Sequence, residues 1–314
     1  MDNSKLIYIT ADGLYSDIDI YACSIAYAEL LRLRGKNAIA VVNTTFTESV
    51  PQFLLDLDVE YLNQSNIDWN KADALIILDR SDSEGLQKNI NISKVIELYD
   101  HHFGYEEYWS KLLGSRAHIE KVGSCATLIW EQIKLHNQEK KISKNSLILL
   151  YLAIISNTLN FKSGVTTDRD IQASKEIKII ANIPNEFSSD YFKKVSTSII
   201  NAPYEAMLKD VKFVVINGSQ QIAIGQLEIW DAKEIQNAII LKLETFLPNF
   251  ENIPWFVTIA SIKDGKTILI SKSTEMKIML NKALSIKWEE DISYICSSLL
   301  LRKEIIKALQ KVHF

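Results

Sequence analysis

The chain has 314 residues, 47% of them hydrophobic and 24% charged, and 35 Lys+Arg against 39 Asp+Glu leave a formal net charge of −4. That length favours two domains of ordinary size, each with its own core, and ten glycines and five prolines are too few for a linker-rich or disordered chain. The mild acidity offers no electrostatic case for nucleic-acid binding, and the longest apolar run, Leu147 to Ile155, is about half of the ~18 residues that indicate a membrane span.

At the N-terminus, Asp2 and Lys5 precede only a short apolar stretch, Leu6 to Ile9, with neither the length nor the cleavage site of a signal peptide. The cysteines, Cys23, Cys125 and Cys296, are scattered and odd in number. No disulfide framework or thiolate metal site is expected from them, and a reducing cytoplasm is the expected location. Strand-length apolar runs then alternate with longer amphipathic stretches, the pattern of repeated βαβ units. Strands are predicted at Leu6–Thr10, Ala38–Val42, Ala74–Leu78, Val95–Tyr99 and His118–Val122, and helices at about Ile20–Arg34, Ala126–His136, Ser146–Ser156 and Asp168–Ile180. Gly35 stands where a helix C-terminal cap is expected. Parallel strands need such crossovers, so an α/β fold with a doubly wound, mainly parallel sheet is predicted over residues 1–185.

Residues 181–190 are polar, include Pro184 and lack periodicity, which places a domain boundary there. Beyond it, Val211–Asn217 and Gln220–Leu227 flank Asn217-Gly218, a strong hairpin signal, and Trp255–Ser261 and Thr267–Ser271 flank Lys263-Asp264-Gly265-Lys266. A smaller α+β domain is therefore predicted over residues 190–314, slightly basic where the first is slightly acidic.

Ligands of α/β sheets gather at the C-terminal ends of strands, and the runs here end alike. Asp12, Asp17 and Asp19 follow the first, Asp79 follows Ala74–Leu78, Asp100-His101-His102 follow Val95–Tyr99, and Asn157 follows Leu147–Ile155. Carboxylates and imidazoles gathered at one end of a sheet repel or desolvate badly unless a cation neutralises them. Oxygen and nitrogen donors without sulfur suit Mn²⁺ or Mg²⁺ ahead of Zn²⁺. One aspartate after a strand is more often a turn former or helix cap, but an Asp-His-His triplet directly after a strand is uncommon enough to reverse that preference. The aromatic cluster Phe103, Tyr105, Tyr108 and Trp109 has the chemistry to stack a base or sugar, although packing beneath a loop is the favoured reading.

Asp100-His101-His102 followed by Val122-Gly123-Ser124-Cys125-Ala126-Thr127 resembles the signature of the DHH phosphoesterase superfamily. Within it the chain is similar, over nearly its whole length, to family II, manganese-dependent inorganic pyrophosphatases and exopolyphosphatase-like proteins. The resemblance implies that Asp17 and Asp19 are the two aspartates of the first motif, that Asp79 bridges two metals, that His101 is a metal ligand and that His102 faces phosphate. Ser156-Asn157-Thr158-Leu159 followed by Thr167-Asp168-Arg169-Asp170 is similar to the fourth metal motif. Asp210-Val211-Lys212-Phe213 and Arg302-Lys303 resemble the two anion-binding segments. Gly13 and Ser16 stand where the first motif has histidine and proline, Asn157 stands where the fourth has aspartate, and Leu301 and Glu304 flank Arg302-Lys303 where the last motif has serine and lysine.

The expected function is a metal-dependent phosphohydrolase cleaving pyrophosphate or a short polyphosphate in the cleft between two domains. Asp17, Asp19, Asp79, His101 and a weaker Asn157 would hold one or two Mn²⁺ or Mg²⁺ ions. His102 would protonate the leaving oxygen, and Lys212, Arg302 and Lys303 would clamp phosphate. The alternative is a weakly active or non-hydrolytic phosphate or nucleotide sensor with a degenerate metal site. A RecJ-type nuclease is disfavoured because the C-terminal part lacks that group's glycine-rich motif. The expected partner is a small phosphorylated substrate, with no membrane, nucleic acid disfavoured and a homodimer allowed.

Overall fold

Leu6-Ile7-Tyr8-Ile9-Thr10 has no polar face, and such a run is stable as a strand only when both sides of the sheet are covered. In the computed structural model, which describes residues 5–86, 90–216, 218–234, 236–237, 239–240 and 253–312, it is β1 (Leu6–Thr10), buried at four of five positions. It lies between β2 (Asn37–Val42) and β4 (Ala74–Leu78). With β3 (Leu62–Asn63), β5 (Val95–Asp100) and β6 (Ala117–Ile119), the sheet order is β3-β2-β1-β4-β5-β6 and every pairing is parallel. The order reverses between β1 and β4. That switch point opens a crevice at the strands' C-terminal ends, where the acidic residues stand.

The helices between the strands of this sheet are α1 (Ile18–Leu33), α2 (Gln52–Leu55) and α3 (Glu106–Leu113), and α4 (Cys125–Leu135), α5 (Lys144–Asn157) and α6 (Asp168–Ile180) follow its last strand. α1 packs against α4 and α5 and is buried almost throughout. It ends at Gly35, whose φ of 75° lets its N–H reach the Arg32 carbonyl while the Lys36 N–H reaches that of Leu31. The apolar run from Leu147 is the buried body of α5, and among the described residues no helix is long and apolar enough to cross a membrane. The last predicted strand is shorter than expected and shifted one residue earlier at its start, because only Ala117, His118 and Ile119 pair with β5.

By its contacts the chain forms two compact units, residues 1–161 with 165–188 and residues 162–164 with 189–314. The stretch read as aperiodic already contains the start of α7 (Phe187–Asn201). Its buried residues Tyr191, Phe192, Val195 and Ile199 follow helical spacing, but its polar opening masks the period. The second unit adds α8 (Pro203–Lys209), α9 (Thr274–Leu284) and α10 (Arg302–Leu309) to a five-stranded sheet. Its strands are β7 (Lys212–Ile216), β8 (Gln220–Ile229), β9 (Trp255–Ser261), β10 (Lys266–Ile270) and β11 (Ser293–Cys296), ordered β11-β10-β9-β8-β7. Only β8 and β9 run parallel. Both predicted hairpins form, with Gly218 and Gly265 at φ 77° and 66°, while Asn217 lies outside the described residues. Ile224, Phe256, Leu269, Leu280, Trp288 and Ile305 make its core. Burying each such side chain contributes about 1.5–3 kcal/mol.

Candidate metal centre

Asp79 follows β4 directly and has φ 57°, with its N–H donated to the Tyr99 carbonyl at 2.8 Å on the neighbouring strand. A left-handed backbone at a non-glycine residue costs of order 1 kcal/mol or more and persists where its surroundings impose it. Here the conformation presents the carboxylate to the end of β5. Oδ1 of Asp79 is buried with no hydrogen-bond partner. It stands 3.3 Å from His101 Nε2 and 3.8 Å from His102 Nδ1. Asp79, His101 and His102 each offer a ligand atom within 4.8 Å of the others.

The histidines are oriented from behind. His101 Nδ1 lies 3.2 Å from the Val122 carbonyl, which can only accept, so Nδ1 carries the hydrogen. Nε2 then points toward the carboxylates of Asp79 and, at 3.9 Å, Asp19. A lone pair facing two carboxylates is repulsive unless a cation sits between them, and this second-sphere arrangement typifies metal-binding histidines. Asp100 is fully buried, and its Oδ2, like Oδ1 of Asp79, has no hydrogen-bond partner. Its Oδ1 accepts the N–H groups of His101 and His102, at 2.7 and 3.1 Å, and the His102 ring at 2.8 Å. Burial alone would raise its carboxyl, but the hydrogen bond and charge of His102 outweigh that and hold it below the ordinary range. The first residue of the triplet thus positions the other two, a role the sequence did not disclose. His102 remains largely exposed.

Asp17 and Asp19 lie at the start of α1. Asp17 is the N-cap, accepting the Ile20 N–H at 2.9 Å, and desolvation followed by the nearby Asp19 charge raises its carboxyl. Asp19 is fully buried and holds the N-terminus of α4, accepting from Cys125 N at 2.9 Å, Ala126 N at 3.0 Å and Ser124 Oγ at 3.0 Å. The motif around Gly123 is explained nearby: a Cβ there would lie 2.7 Å from Thr158 Cγ2 and 2.9 Å from Asp170 Oδ2. Asp170 accepts the Gly123 N–H and the Thr127 hydroxyl, tying α6 to α4. Asn157 ends α5 with its amide donated to the Ala153 carbonyl. It precedes three consecutive left-handed residues, Leu159, Asn160 and Phe161.

The loop that carries Gly13 is braced. Arg80 donates to the Asp12 carbonyl and Asn43 to the carbonyls of Gly13 and Leu14. A Cβ at Gly13 would lie 2.7 Å from the Tyr15 carbonyl oxygen, so a histidine there requires the backbone to move. The Asp12 carboxylate accepts from Gln64. In the second unit, Arg302 donates to the carbonyl and carboxylate of Asp210. Desolvation, then the Arg302 charge, holds Lys212 below the ordinary lysine range, and desolvation does the same for Lys303, with Lys212 adding to it. The three cations form one cluster. Of the aromatic residues after the triplet, Trp109 is core, whereas Phe103 and Tyr108 are exposed.

The cluster makes a pH prediction. Burial first, then the charges of Asp19 and Asp17, push the Asp79 carboxyl well above its ordinary value. The native metal-free state therefore binds this proton more tightly than the unfolded chain. The stability it contributes is complete below the ordinary carboxylate value of about 4 and is lost as pH rises through the raised one. A divalent cation bound here would compete with that proton, so the rise in melting temperature produced by Mn²⁺ should grow as pH rises above the ordinary carboxylate range, reaching about 2.7 kcal/mol of stabilisation at a hundredfold excess over Kd. An increment that is absent or independent of pH would remove the ion from these carboxylates.

No family model matches the chain, but curated proteins do. A manganese-dependent inorganic pyrophosphatase of Methanocaldococcus jannaschii is 28% identical over 298 residues, 88% of this chain and 94% of that protein. One from Bacillus subtilis is 26% identical over 306 residues, covering 93% and 94%. A solved structure assigned to the family II inorganic pyrophosphatases, from Methanococcus jannaschii, superposes with a TM-score of 0.68 at 25% identity, over 97% of this chain and 98% of that one. An exopolyphosphatase-related protein from Bacteroides fragilis shares the fold, with a TM-score of 0.53 and 15% identity over 98% and 92%. In sequence and in fold, and over nearly its whole length, the chain thus resembles the family II, manganese-dependent inorganic pyrophosphatases.

Proposed function

We propose that the chain is a divalent-metal-dependent phosphohydrolase acting on a small phosphoanhydride, pyrophosphate or a short polyphosphate. The observation that carries this reading is the buried, unpartnered Asp79 Oδ1 facing His101 Nε2 at 3.3 Å. The Asp79 carboxylate and the His101 imidazole fit Mn²⁺ better than Mg²⁺, with Asp17, Asp19 and Asn157 as further donors. When bound, such an ion supplies charge neutralisation for phosphate and acidifies water at the site. His102, exposed and oriented by Asp100, delivers a proton to the leaving phosphate oxygen. Lys212, Lys303 and the donors of Arg302 not held by Asp210 bind phosphate oxygens.

Orthophosphate release from pyrophosphate and tripolyphosphate, titrated with Mn²⁺, tests the proposal. Turnover should depend on Mn²⁺, and Lys212→Ala should raise KM about tenfold or more while the metal content per chain stays that of the parent. The second reading is a non-hydrolytic phosphate sensor, favoured by the braced loop that offers no side chain at Gly13. Mn²⁺-dependent pyrophosphate binding without release of orthophosphate would establish it in place of the enzyme.

A further inference from the structure

Glu106-Glu107-Tyr108-Trp109-Ser110-Lys111-Leu112-Leu113 begins four residues after His102 and folds as α3. At helical spacing Trp109 and Leu113 go inward, while Tyr105, Tyr108 and Leu112 stand at i, i+3 and i+7 along one outer face. Trp109 is fully buried, whereas Tyr108 and Leu112 are 43% and 44% exposed. With Gly104, Glu107 and Lys111 they line an open groove of about 600 Å³. Gly104 at one end is two residues, at most about 7 Å of chain, from His102. The groove runs about 12 Å along the helix.

The groove is built into the same framework as the triplet. Ser81 Oγ donates to the His102 carbonyl, and the Ser81 carbonyl accepts the Trp109 indole N–H at 2.6 Å. Tyr108 stands edge-on against Trp109, with ring centroids 5.2 Å apart and planes at 90°. Tyr105 is hydrogen-bonded to Asp82. Tyr108 is thus held edge-on by Trp109 and Tyr105 by its hydroxyl, with an aliphatic residue beyond them and a Lys111–Glu107 pair at 2.7 Å alongside. The rings offer a stacking surface and the pair offers a donor and an acceptor to a heteroaromatic edge. Bare pyrophosphate, which has only oxygens to present, would leave all of this unused.

We propose that the α3 groove is a subsite for the base of a nucleotide whose phosphates lie at His102, so that the substrate class extends from inorganic phosphoanhydrides to nucleoside polyphosphates. This rests on the reading of the triplet as a phosphate site. Stacking of one base on aromatic side chains corresponds to about tenfold or more in affinity.

The test compares ADP and pyrophosphate binding calorimetrically, with Mn²⁺ and the full chain, in the parent, in Tyr108→Ala and in Leu135→Ser, a control at an exposed leucine on α4. ADP should bind the parent at least about tenfold more tightly than pyrophosphate. That ratio should fall toward one in Tyr108→Ala and persist in Leu135→Ser. Equal affinities in the parent, or a ratio unchanged by Tyr108→Ala, would overturn the subsite even if pyrophosphate is bound and hydrolysed. Tyr108→Phe keeps the stacking face and should retain the ratio. Failure of the phosphate site itself would show differently, as pyrophosphate that neither binds nor turns over in the parent. Adenosine, without phosphate, separates the two: its binding, lost in Tyr108→Ala, supports the subsite alone, and its failure to bind when pyrophosphate also fails overturns both.

Discussion

Asp79→Asn should abolish Mn²⁺ retention and lower pyrophosphate hydrolysis by at least about a hundredfold, while making the metal-free protein more stable than the parent at neutral pH. The opposite signs follow from one geometry. Asp79 is buried beside the Asp19 and Asp17 carboxylates, and its Oδ1 has no hydrogen-bond partner. Its charge is unfavourable without a cation and favourable with one. Asparagine keeps the shape, tolerates the φ of 57° and removes the charge, so the backbone does not confound the result. Metal content by elemental analysis, metal-free melting curves and orthophosphate release read the three effects. A variant that keeps its Mn²⁺ and its turnover would remove Asp79 from the centre of the site.

Asp19→Ala should behave differently, lowering the stability of the metal-free chain by about 3 kcal/mol, because two buried N–H groups of α4 lose their acceptor at a cost of about 1–3 kcal/mol each. Ser124 Oγ, which also accepts from Ala126 N at 3.1 Å, softens this loss but leaves Cys125 N unpartnered. A melting temperature about 10 °C lower is expected. Asp17→Ala removes one cap bond at the partly buried start of α1 and should cost about 1 kcal/mol. Asp19→Asn, which retains a carbonyl acceptor, should recover part of the loss. If metal-free Asp19→Ala melts with the parent, the carboxylate does not hold α4, and its role is confined to the metal.

The departures at Gly13 and Asn157 change meaning once the loop is seen. Counting charge in the sequence makes them absent ligands whose restoration would complete a two-metal site. The Tyr15 carbonyl, 2.7 Å from where a Cβ at position 13 would sit, shows that the loop has closed into a shape suited to glycine. Restoring histidine alone leaves its backbone in the wrong place.

The sequence by itself determined the elements whose signals are local. Continuous apolar runs marked β1 and β4, since only strands covered on both faces keep them; Asn217-Gly218 and Asp264-Gly265 marked the hairpins; and Asp100-His101-His102 marked the end of a strand as chemically unusual. It did not reveal α3, where only two of eight residues are buried, or the start of α7. Tertiary structure alone decided which acidic residues meet. Asp79 reaches His101 because β4 and β5 are neighbours in a sheet whose order reverses at β1, and strand order leaves no trace in periodicity. Asp19 and Cys125 are joined across 106 positions because α4 docks on α1 by its apolar face, carrying its unpaired N–H groups to a carboxylate that a one-dimensional reading assigned to metal alone. Asp100, adjacent to two candidate ligands, became their support for the same reason. A side chain's role depends on which donors and charges surround it when buried, and those come from segments that only folding brings together.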